Sequence, residues 1–154
     1  MTPYDRLKEI GLSLPPAPEP AAAFAMAVAA GDLLFVSGHI AMRDGRPWTG
    51  QLGGSVTLDE GRKAARAIAL DLLATLHDQL GDLSRVRRIV KLLCLVNSTP
   101  SFSDQHLVAN GGSELLLAVL AERGRHARSA IGVAQLPLGA CVEIELVAEV
   151  ERRL

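Results

Sequence analysis

The groups best suited to chemistry lie near the end of the chain. Glu143 and Glu145 stand in the strictly alternating run 141–147, which places both carboxylates on one face of a predicted strand, about 7 Å apart at the backbone. Arg128 opens the strand predicted before it, and a guanidinium binds a small carboxylate through two parallel hydrogen bonds. The pattern alone leaves open whether these groups form a site or a solvated face. If the two strands pair as a hairpin, Arg128 comes within reach of the acidic strand or of a cleft between subunits.

Other kinds of site have little support in the sequence. The histidines at positions 39, 77, 106 and 126 have no short ligand spacing, and no C-x-x-C motif occurs, so we expect no metal site. Phosphate-binding glycine loops and the G-x-S-x-G motif of serine hydrolases do not occur either, and we expect no cofactor. Cys94 and Cys141 lie in apolar runs and are expected to be buried, reduced thiols, which favours a cytoplasmic protein.

Composition narrows the class of protein. The 154 residues suit one domain, and a hydrophobic fraction of 49% with a net charge of −1 excludes a disordered tail and a strongly basic nucleic-acid binder. Aromatic residues make up 3%, too few for a platform that stacks bases. No apolar run approaches the ~18 residues of a membrane span, and the N-terminus carries several charged side chains, unlike a secretory signal. We therefore expect neither a nucleic-acid nor a membrane partner.

Strands and helices in alternation must position the candidate residues. Thr57 and Glu60 fit a capping box, and apolar residues then recur every three to four positions up to Gly81, which predicts a helix over 58–80. The sequence Asn-Gly-Gly-Ser at 110–113 interrupts a second helix, so either that helix begins near its second glycine or glycine is needed there for close approach. The other predicted elements are a short helix over 4–10, an extended proline-rich segment over 14–20, strands over 24–29, 33–40, 86–96, 127–134 and 141–150, and the second helix from 101 to 124.

The order strand, strand, helix, strand, helix, strand, strand predicts an α+β fold. Both helices lie on one face of a mixed sheet, because a strand–helix–strand crossover is right-handed. The other face is then uncovered. A mean hydropathy of +0.24 is high for a monomer of this size, so we expect copies of the chain to cover that face in a dimer or a trimer.

Two segments carry a family resemblance. Residues 127–137, ARSAIGVAQLP, followed by VEIE at 142–145, resemble the signature of the RidA/YjgF/YER057c/UK114 family. Residues 35–40, FVSGHI, are similar to that family's second strand, which usually ends in Ser-Gly-Gln-Ile. Element order and spacing match from residue 20 to residue 150, and the longer proline-containing N-terminus resembles a divergent branch. The resemblance implies a single RidA-like domain over 21–154, preceded by an N-terminal helix and proline-rich lead-in over 1–20.

The resemblance also implies a fold and an activity. The fold would be chorismate-mutase-like, with two helices packed on one face of a mixed sheet, and three copies would form a homotrimer with clefts between subunits. Active members hydrolyse a reactive imine or enamine made from an amino acid, such as 2-aminoacrylate, to a keto acid and ammonia. Carried over by motif, Arg128 would bind the substrate carboxylate, and Glu143 would activate water and shuttle protons. The cleft would be lined by Phe24, Ser37, Gly38, His39, Asn110 and the backbone of Ala130.

The sequence departs from the family pattern in this cleft. Phe24 stands where active members carry a Tyr, and His39 replaces the usual Gln. The stretch over 97–110 is several residues longer than usual. A retained arginine in a changed wall suggests a different small acid, or binding without turnover.

Three alternatives stand beside the imine or enamine hydrolase. The first is a homotrimer that binds a small carboxylate-bearing metabolite without turning it over. The second is an RNA-cleaving or translation-inhibiting protein, as some members of the family are labelled. The net charge opposes it, and the basic run over 85–88 with Lys91 is expected to pair with acids at a strand start. The third is a chorismate mutase, on the fold alone, and the motif favours the hydrolase.

Overall fold

The computed structural model of the chain describes residues 1–151, and within them five strands form one mixed sheet. The helices are α1 (Pro3–Glu9), α2 (Leu58–Leu80) and α3 (Gln105–Leu120), and the strands are β1 (Ala27–Ala30), β2 (Leu33–Ile40), β3 (Met42–Arg43), β4 (Arg46–Pro47), β5 (Val86–Asn97), β6 (Ala127–Val133) and β7 (Val142–Val150). The main sheet has the order β1-β2-β7-β5-β6, and β3 pairs with β4 separately. Its neighbours are antiparallel except for β5 and β6, which are parallel. The predicted α+β fold is confirmed.

One predicted strand boundary was wrong, and a pairing that the sequence left open does not form. The first strand begins at Ala27 rather than at residue 24, because residues 21–24 form a bend and Phe24 stays in the segment before the sheet. β6 and β7 do not pair as a hairpin, since β5 lies between them. The reason is that β5, α3 and β6 form a crossover unit, which places β6 parallel to β5 at the edge of the sheet.

Residues next to α2 set both of its ends. The Thr57 hydroxyl accepts a hydrogen bond from the Glu60 amide (3.2 Å), and the Glu60 carboxylate accepts one from the Thr57 amide (2.8 Å). This completes the predicted capping box, and Gly81 ends the helix. The apolar face, which includes Ile68 and Leu72, is fully buried in the core.

The glycine pair of α3 sets how closely the two long helices pack. Gly111 and Gly112 lie inside α3, and both are buried. A Cβ at Gly111 would overlap the backbone carbonyl of Arg62 in α2, and a Cβ at Gly112 would lie 3.2 Å from the carbonyl oxygen of Ala65. Close approach is therefore the correct interpretation of the two, and α3 runs unbroken through Asn110.

The face of the sheet away from α2 and α3 is open among residues 1–151. Along β7, Ile144 is buried on the helix side, whereas Glu143 and Glu145 alternate with it on the open side. Phe35 and Ile131 also lie on the open side, and each is 47% exposed. Apolar side chains gathered on an exposed face are typical of a surface that a partner covers.

α1 packs against the rest of the molecule rather than standing apart. Leu7 belongs to the core and is 2% exposed. The Tyr4 hydroxyl accepts a hydrogen bond from the Leu83 amide (2.8 Å) and lies 2.8 Å from His77 Nδ1. Residues 11–26 then run to β1 without helix or strand, and we call them the connecting segment. The last three residues of the predicted domain, 152–154, lie outside the described residues.

Two residues of the basic run at the start of β5, Arg87 and Arg88, are paired with acids, as predicted. Arg85 and Lys91 have no carboxylate partner among residues 1–151 and donate instead to backbone carbonyls and to Ser129 Oγ. Arg87 lies 4.0 Å from the Asp32 carboxylate, 3.8 Å from that of Glu149 and 3.9 Å from that of Glu151. Arg88 forms an ion pair with Glu149 at 2.7 Å. The charges of Arg87 and Arg88 are therefore partly neutralised within the chain, which reduces what these two residues offer to phosphate groups.

The thiols behave as core residues. Cys94 and Cys141 are free and fully buried, as predicted. Burial raises the pKa of Cys94 to about 12 and that of Cys141 to about 11, so neither is a thiolate at neutral pH.

Between residues 1 and 151, none of the helices combines the length and the apolar character that crossing a membrane requires.

Candidate functional site

Arg128 lies near the start of β6 on the helix-covered face of the sheet, and α3 holds its guanidinium. One terminal nitrogen donates to Asn110 Oδ1 (2.8 Å) and to Ser113 Oγ (3.1 Å), and the other donates to the backbone carbonyl of His106 (3.1 Å). All of these acceptors are neutral. The side chain is half-buried and has no ion pair with any carboxylate of residues 1–151. The chain thus orients this positive charge without neutralising it.

A chain of hydrogen bonds continues from Arg128 through Ser113 to His126. Ser113 Oγ lies 2.9 Å from His126 Nε2, and His126 Nδ1 lies 2.6 Å from the Gly124 carbonyl oxygen. Because a carbonyl only accepts, Nδ1 carries the proton and the Ser113 hydroxyl donates to Nε2. Burial lowers the pKa of His126, the Arg128 charge adds to this, and the hydrogen bond to Gly124 opposes it. A neutral His126 leaves the Ser113 oxygen available to Arg128.

An open groove of about 390 Å³ lies beside these residues. Ser113, Leu117, Arg125, His126 and Arg128 line it. Arg125 is paired with Glu122 at 3.2 Å, so Arg128 is the arginine without an acidic partner among the described residues that line the groove. A small anion is the ligand that such a surface favours.

Glu143 lies on the open face of the sheet beside a bulge in β2. The bulge falls between Val36 and His39 and brings Gly38 against the Glu143 side chain. A Cβ at Gly38 would overlap the Glu143 carboxylate, so glycine at this position permits the carboxylate to lie where it does. Burial raises the pKa of Glu143, and the charge of Glu145 raises it further. The carboxylate has no hydrogen-bond partner within residues 1–151, which suits a group that exchanges a proton.

Arg128 and Glu143 of one chain lie on opposite faces of the sheet. Arg128 pairs with Leu92 of β5, and Glu143 pairs with Leu95 of the same strand. Positions three apart on a strand face opposite sides, and Leu92 is buried while Leu95 is only half-buried. The two side chains therefore do not meet across the sheet, and a site that uses both needs a second copy of the chain.

Ser37 fastens the connecting segment to β2. Its hydroxyl donates to the Ala25 carbonyl (2.6 Å), and its amide donates to the Met26 carbonyl (2.9 Å). Phe24, just before these residues, is 45% exposed and lines a cavity of about 310 Å³ together with Gly38. Ser37 thus positions the backbone that presents Phe24, and its own hydroxyl is already engaged.

His39 points into the helical layer. It is 4% exposed, with Nδ1 2.7 Å from the Ser37 carbonyl oxygen and Nε2 2.8 Å from Thr75 Oγ1. By the same reasoning as for His126, Nδ1 donates and Nε2 accepts from the Thr75 hydroxyl. Burial lowers the pKa of His39, and the hydrogen bond to Ser37 opposes this. The neutral imidazole fixes the bulge of β2 against α2.

Ala130 shares a face with Arg128, since the two are separated by one residue of β6. It pairs with Cys94 of β5 and is half-buried against the core. Within the described part of the chain, β6 is hydrogen-bonded only to β5, so the outer backbone edge near Ala130 points away from the sheet.

The longer stretch over 97–110 folds over the end of β5 and β6. Gln105 Nε2 donates to the Phe102 carbonyl (2.8 Å) and to Ser98 Oγ (3.3 Å). A Cβ at Gly132 would lie 2.8 Å from the same nitrogen, which shows how tightly this turn packs on β6. The turn contacts Gly132, and the end of the same stretch reaches Arg128 through the His106 carbonyl and the Asn110 side chain.

Three members of the Arg128 network, His106, Ser113 and His126, were missed from the sequence. His106, Asn110 and Ser113 recur at spacings of four and three, which puts them on one face of a helix. The two glycines between Asn110 and Ser113 weaken the helical pattern and so conceal this signal in the sequence. His126 precedes Arg128 by two positions, and strand alternation alone places both on the same face.

The chain is similar in sequence and in structure to known proteins. The family model described as endoribonuclease L-PSP matches residues 15–150. Protein TCP17 of Trypanosoma cruzi is 50% identical over 145 residues, which are 93% of this chain and 91% of that protein. A crystal structure of an Agrobacterium tumefaciens protein of unknown function is 43% identical, with a TM-score of 0.90 over 97% of this chain and 92% of the other. A candidate endoribonuclease from Shewanella oneidensis is 32% identical, with a TM-score of 0.93 over 97% and 100%.

Proposed function

This chain belongs to the endoribonuclease L-PSP family, which is the RidA/YjgF family, and we propose that it hydrolyses a small imine or enamine acid to a keto acid and ammonia. The proposed substrate is of the 2-aminoacrylate type. It binds in a cleft between copies of the chain in a homotrimer, where Arg128 of one copy holds its carboxylate and Glu143 of the next copy handles its protons.

The observation that carries the proposal is the state of Arg128. Its guanidinium is oriented by neutral acceptors and has no carboxylate partner among residues 1–151. Arg87 and Arg88 are by contrast paired with acids. Arg85 and Arg123 also have no carboxylate partner among residues 1–151, but they donate to backbone carbonyls and neither lines the groove beside Arg128. A half-buried arginine that is positioned but not neutralised favours binding of a carboxylate from outside the chain.

The need for both Arg128 and Glu143 supports assembly. The two lie on opposite faces of the sheet, so the cleft would form where the Arg128 groove of one copy meets the open face of another. That face carries exposed apolar side chains, including Val28 at 59% and Phe35 at 47%. Burying them between copies supplies the free energy for association.

The chemistry assigned to Glu143 is general acid and base catalysis. 2-Aminoacrylate first tautomerises to the imine. Glu143 then accepts a proton from water as the water oxygen bonds to the imine carbon, and it returns that proton to the nitrogen, which is now singly bonded to carbon. It next takes the hydroxyl proton of this carbinolamine and delivers a proton to the nitrogen, so that the C–N bond breaks, ammonia leaves and the keto group forms. The raised pKa of Glu143 supports proton transfer in both directions, since it lies closer to neutral pH than the pKa of an ordinary glutamate.

The remaining predicted residues take supporting roles in the proposal. Gly38 permits the position of Glu143, Phe24 supplies an apolar wall, and the edge backbone at Ala130 contacts the substrate. Ser37 and His39 position the strand around Gly38 through hydrogen bonds that are internal to the chain. The buried thiols of Cys94 and Cys141 support the proposal that the protein works in the reducing cytoplasm.

The test is pyruvate release from freshly generated 2-aminoacrylate, measured above the rate in buffer alone. We expect native protein to accelerate release and Arg128→Ala to lose about a hundredfold or more in kcat/KM. Arg125→Ala is the matched control, because Arg125 lies in the same groove but is paired with Glu122, and it should retain most of the rate.

Two results would reject the hydrolase. One is no release above the buffer rate by native protein, and the other is an unchanged rate in Arg128→Ala. If pyruvate stabilises the native protein against heat but not Arg128→Ala, and no turnover is seen, the protein is instead a small-acid binder.

A further inference from the structure

A second, apolar cavity lies between the connecting segment, β2, β3 and α2. It has a volume of about 310 Å³, and its wall is built mostly from Phe24, Met26, Ile40, Met42 and Leu138. With ~30 Å³ for each heavy atom, it has room for a molecule of roughly ten heavy atoms. An apolar wall with very few polar groups is typical of a small-molecule site.

One acidic side chain of α2, Asp71, faces this cavity. It is half-buried, and no residue from 1 to 151 donates a hydrogen bond to it or forms an ion pair with it. Burial raises the pKa of Asp71, and no neighbouring charge contributes. An ionised carboxylate left without a partner in apolar surroundings is unfavourable, and a cation beside it would remove that cost.

The other groups on the wall make the preference for a cation stronger. Glu19 of the connecting segment is a second acid, and among the residues that the structure describes neither lysine nor arginine lines the cavity. His39 also lines it, but both of its ring nitrogens are engaged with Ser37 and Thr75. The described side chains of the wall therefore offer carboxylates and apolar surface, and no cation or free ring nitrogen for an anion.

We propose that this cavity binds a small amine, with a short apolar body against Phe24 and Met42 and an ammonium group paired with the Asp71 carboxylate. Its charge preference is opposite to that of the Arg128 groove, which favours an anion. The cavity shares Phe24 and Gly38 with the proposed cleft, so a bound amine lies beside the position assigned to the imine acid. The inference goes beyond the hydrolase activity and does not depend on turnover.

The test is calorimetric binding of matched six-carbon probes to the full chain. Hexylammonium should bind about tenfold more tightly than hexan-1-ol, because only the ammonium group forms a charged hydrogen bond with Asp71. Hexanoate should bind most weakly of the three. Shortening hexylammonium to butylammonium should weaken binding about fourfold for each methylene group removed.

Asp71→Asn should abolish the preference for hexylammonium over hexan-1-ol while leaving hexan-1-ol binding unchanged. Asp78→Asn is the matched control, since Asp78 lies two turns further along α2 and is exposed to solvent. It should bind all three probes as the native protein does.

Equal affinity of native protein for hexylammonium and hexan-1-ol would overturn the proposal, as would failure to bind either. This comparison needs no variant, so a folding defect in Asp71→Asn does not weaken it. A native preference for hexylammonium that Asp71→Asn leaves intact would also overturn it. If the protein binds hexylammonium through Asp71 but releases no keto acid, the amine site stands and the hydrolase activity is rejected. If it releases keto acid but shows no preference for hexylammonium, the hydrolase activity stands and the amine site is rejected.

Discussion

Arg128 and Glu143 lie on opposite faces of one sheet and are held in opposite ways. Arg128 is fixed by hydrogen bonds to Asn110, Ser113 and the His106 carbonyl. Glu143 has no hydrogen-bond partner within residues 1–151 and lies against the bare backbone of Gly38. The helix-covered face thus carries a binding group that is already positioned. The open face carries a carboxylate with a raised pKa, and only assembly of copies would bring the two together.

The comparison predicts that the acid on the open face is the one most sensitive to a conservative change. Glu143→Gln should lower kcat for pyruvate release by about 10²- to 10⁴-fold, because an amide cannot exchange the proton. Glu145→Gln is the control, since it removes a carboxylate from the same face but does not contact Gly38. Equal losses in the two variants would contradict the assignment of Glu143.

If the two groups act across a subunit boundary, two inactive variants should restore one another. Arg128→Ala and Glu143→Gln, coexpressed so that mixed trimers form, should recover about a quarter of native activity, since random mixing leaves that share of clefts with both native groups. Each variant alone should stay inactive. Recovery that never exceeds the sum of the separate variants would show that both groups act within one chain, or that neither does.

The hydrogen-bond chain behind Arg128 predicts a smaller, different effect. Ser113→Ala removes one of the acceptors that orient the guanidinium, so KM should rise about two- to tenfold while kcat changes little. Ser129→Ala is the matched control, because Ser129 is adjacent to Arg128 but accepts from Lys91 on the other face of the sheet. A fall in kcat with constant KM would mean that Ser113 acts on chemistry rather than on binding.

The two regions also differ in how far the sequence predicted them. Arg128 and Asn110 were identified by motif, and Glu143 and Glu145 were placed on one face by alternation alone. The face of Arg128 relative to Glu143 was not predictable, because it depends on β5 lying between β6 and β7, a long-range pairing that local patterns do not encode. The place of Asp71 in a cavity was not predictable for a similar reason, since the cavity forms only when the connecting segment folds back over α2.

The half-buried carboxylate of Glu143 on the open face should lower the free energy of unfolding at neutral pH. The pKa of Glu143 is raised in the folded state, so its contribution to stability is fully present below the unfolded pKa and is lost as pH rises through the folded value. Glu143→Gln removes this loss and should melt at a higher temperature than native protein at pH 7. The difference should vanish below pH of about 4, where the native carboxyl is protonated in both states. A lower melting temperature for Glu143→Gln at pH 7 would contradict the prediction.

The smallest expected effect tests whether the two carboxylates of the open face sense one another. Burial is the main cause of the raised pKa of Glu143, and the charge of Glu145 is the second. Glu145→Gln should therefore lower the pKa of Glu143 without returning it to the ordinary glutamate range. Because the base form must be ionised to accept a proton from water, the acid limb of kcat/KM should move to lower pH while the neutral plateau stays unchanged. A limb that does not move would mean that Glu145 is neutralised in the assembled protein, and hence that a neighbouring copy brings a cation to this face.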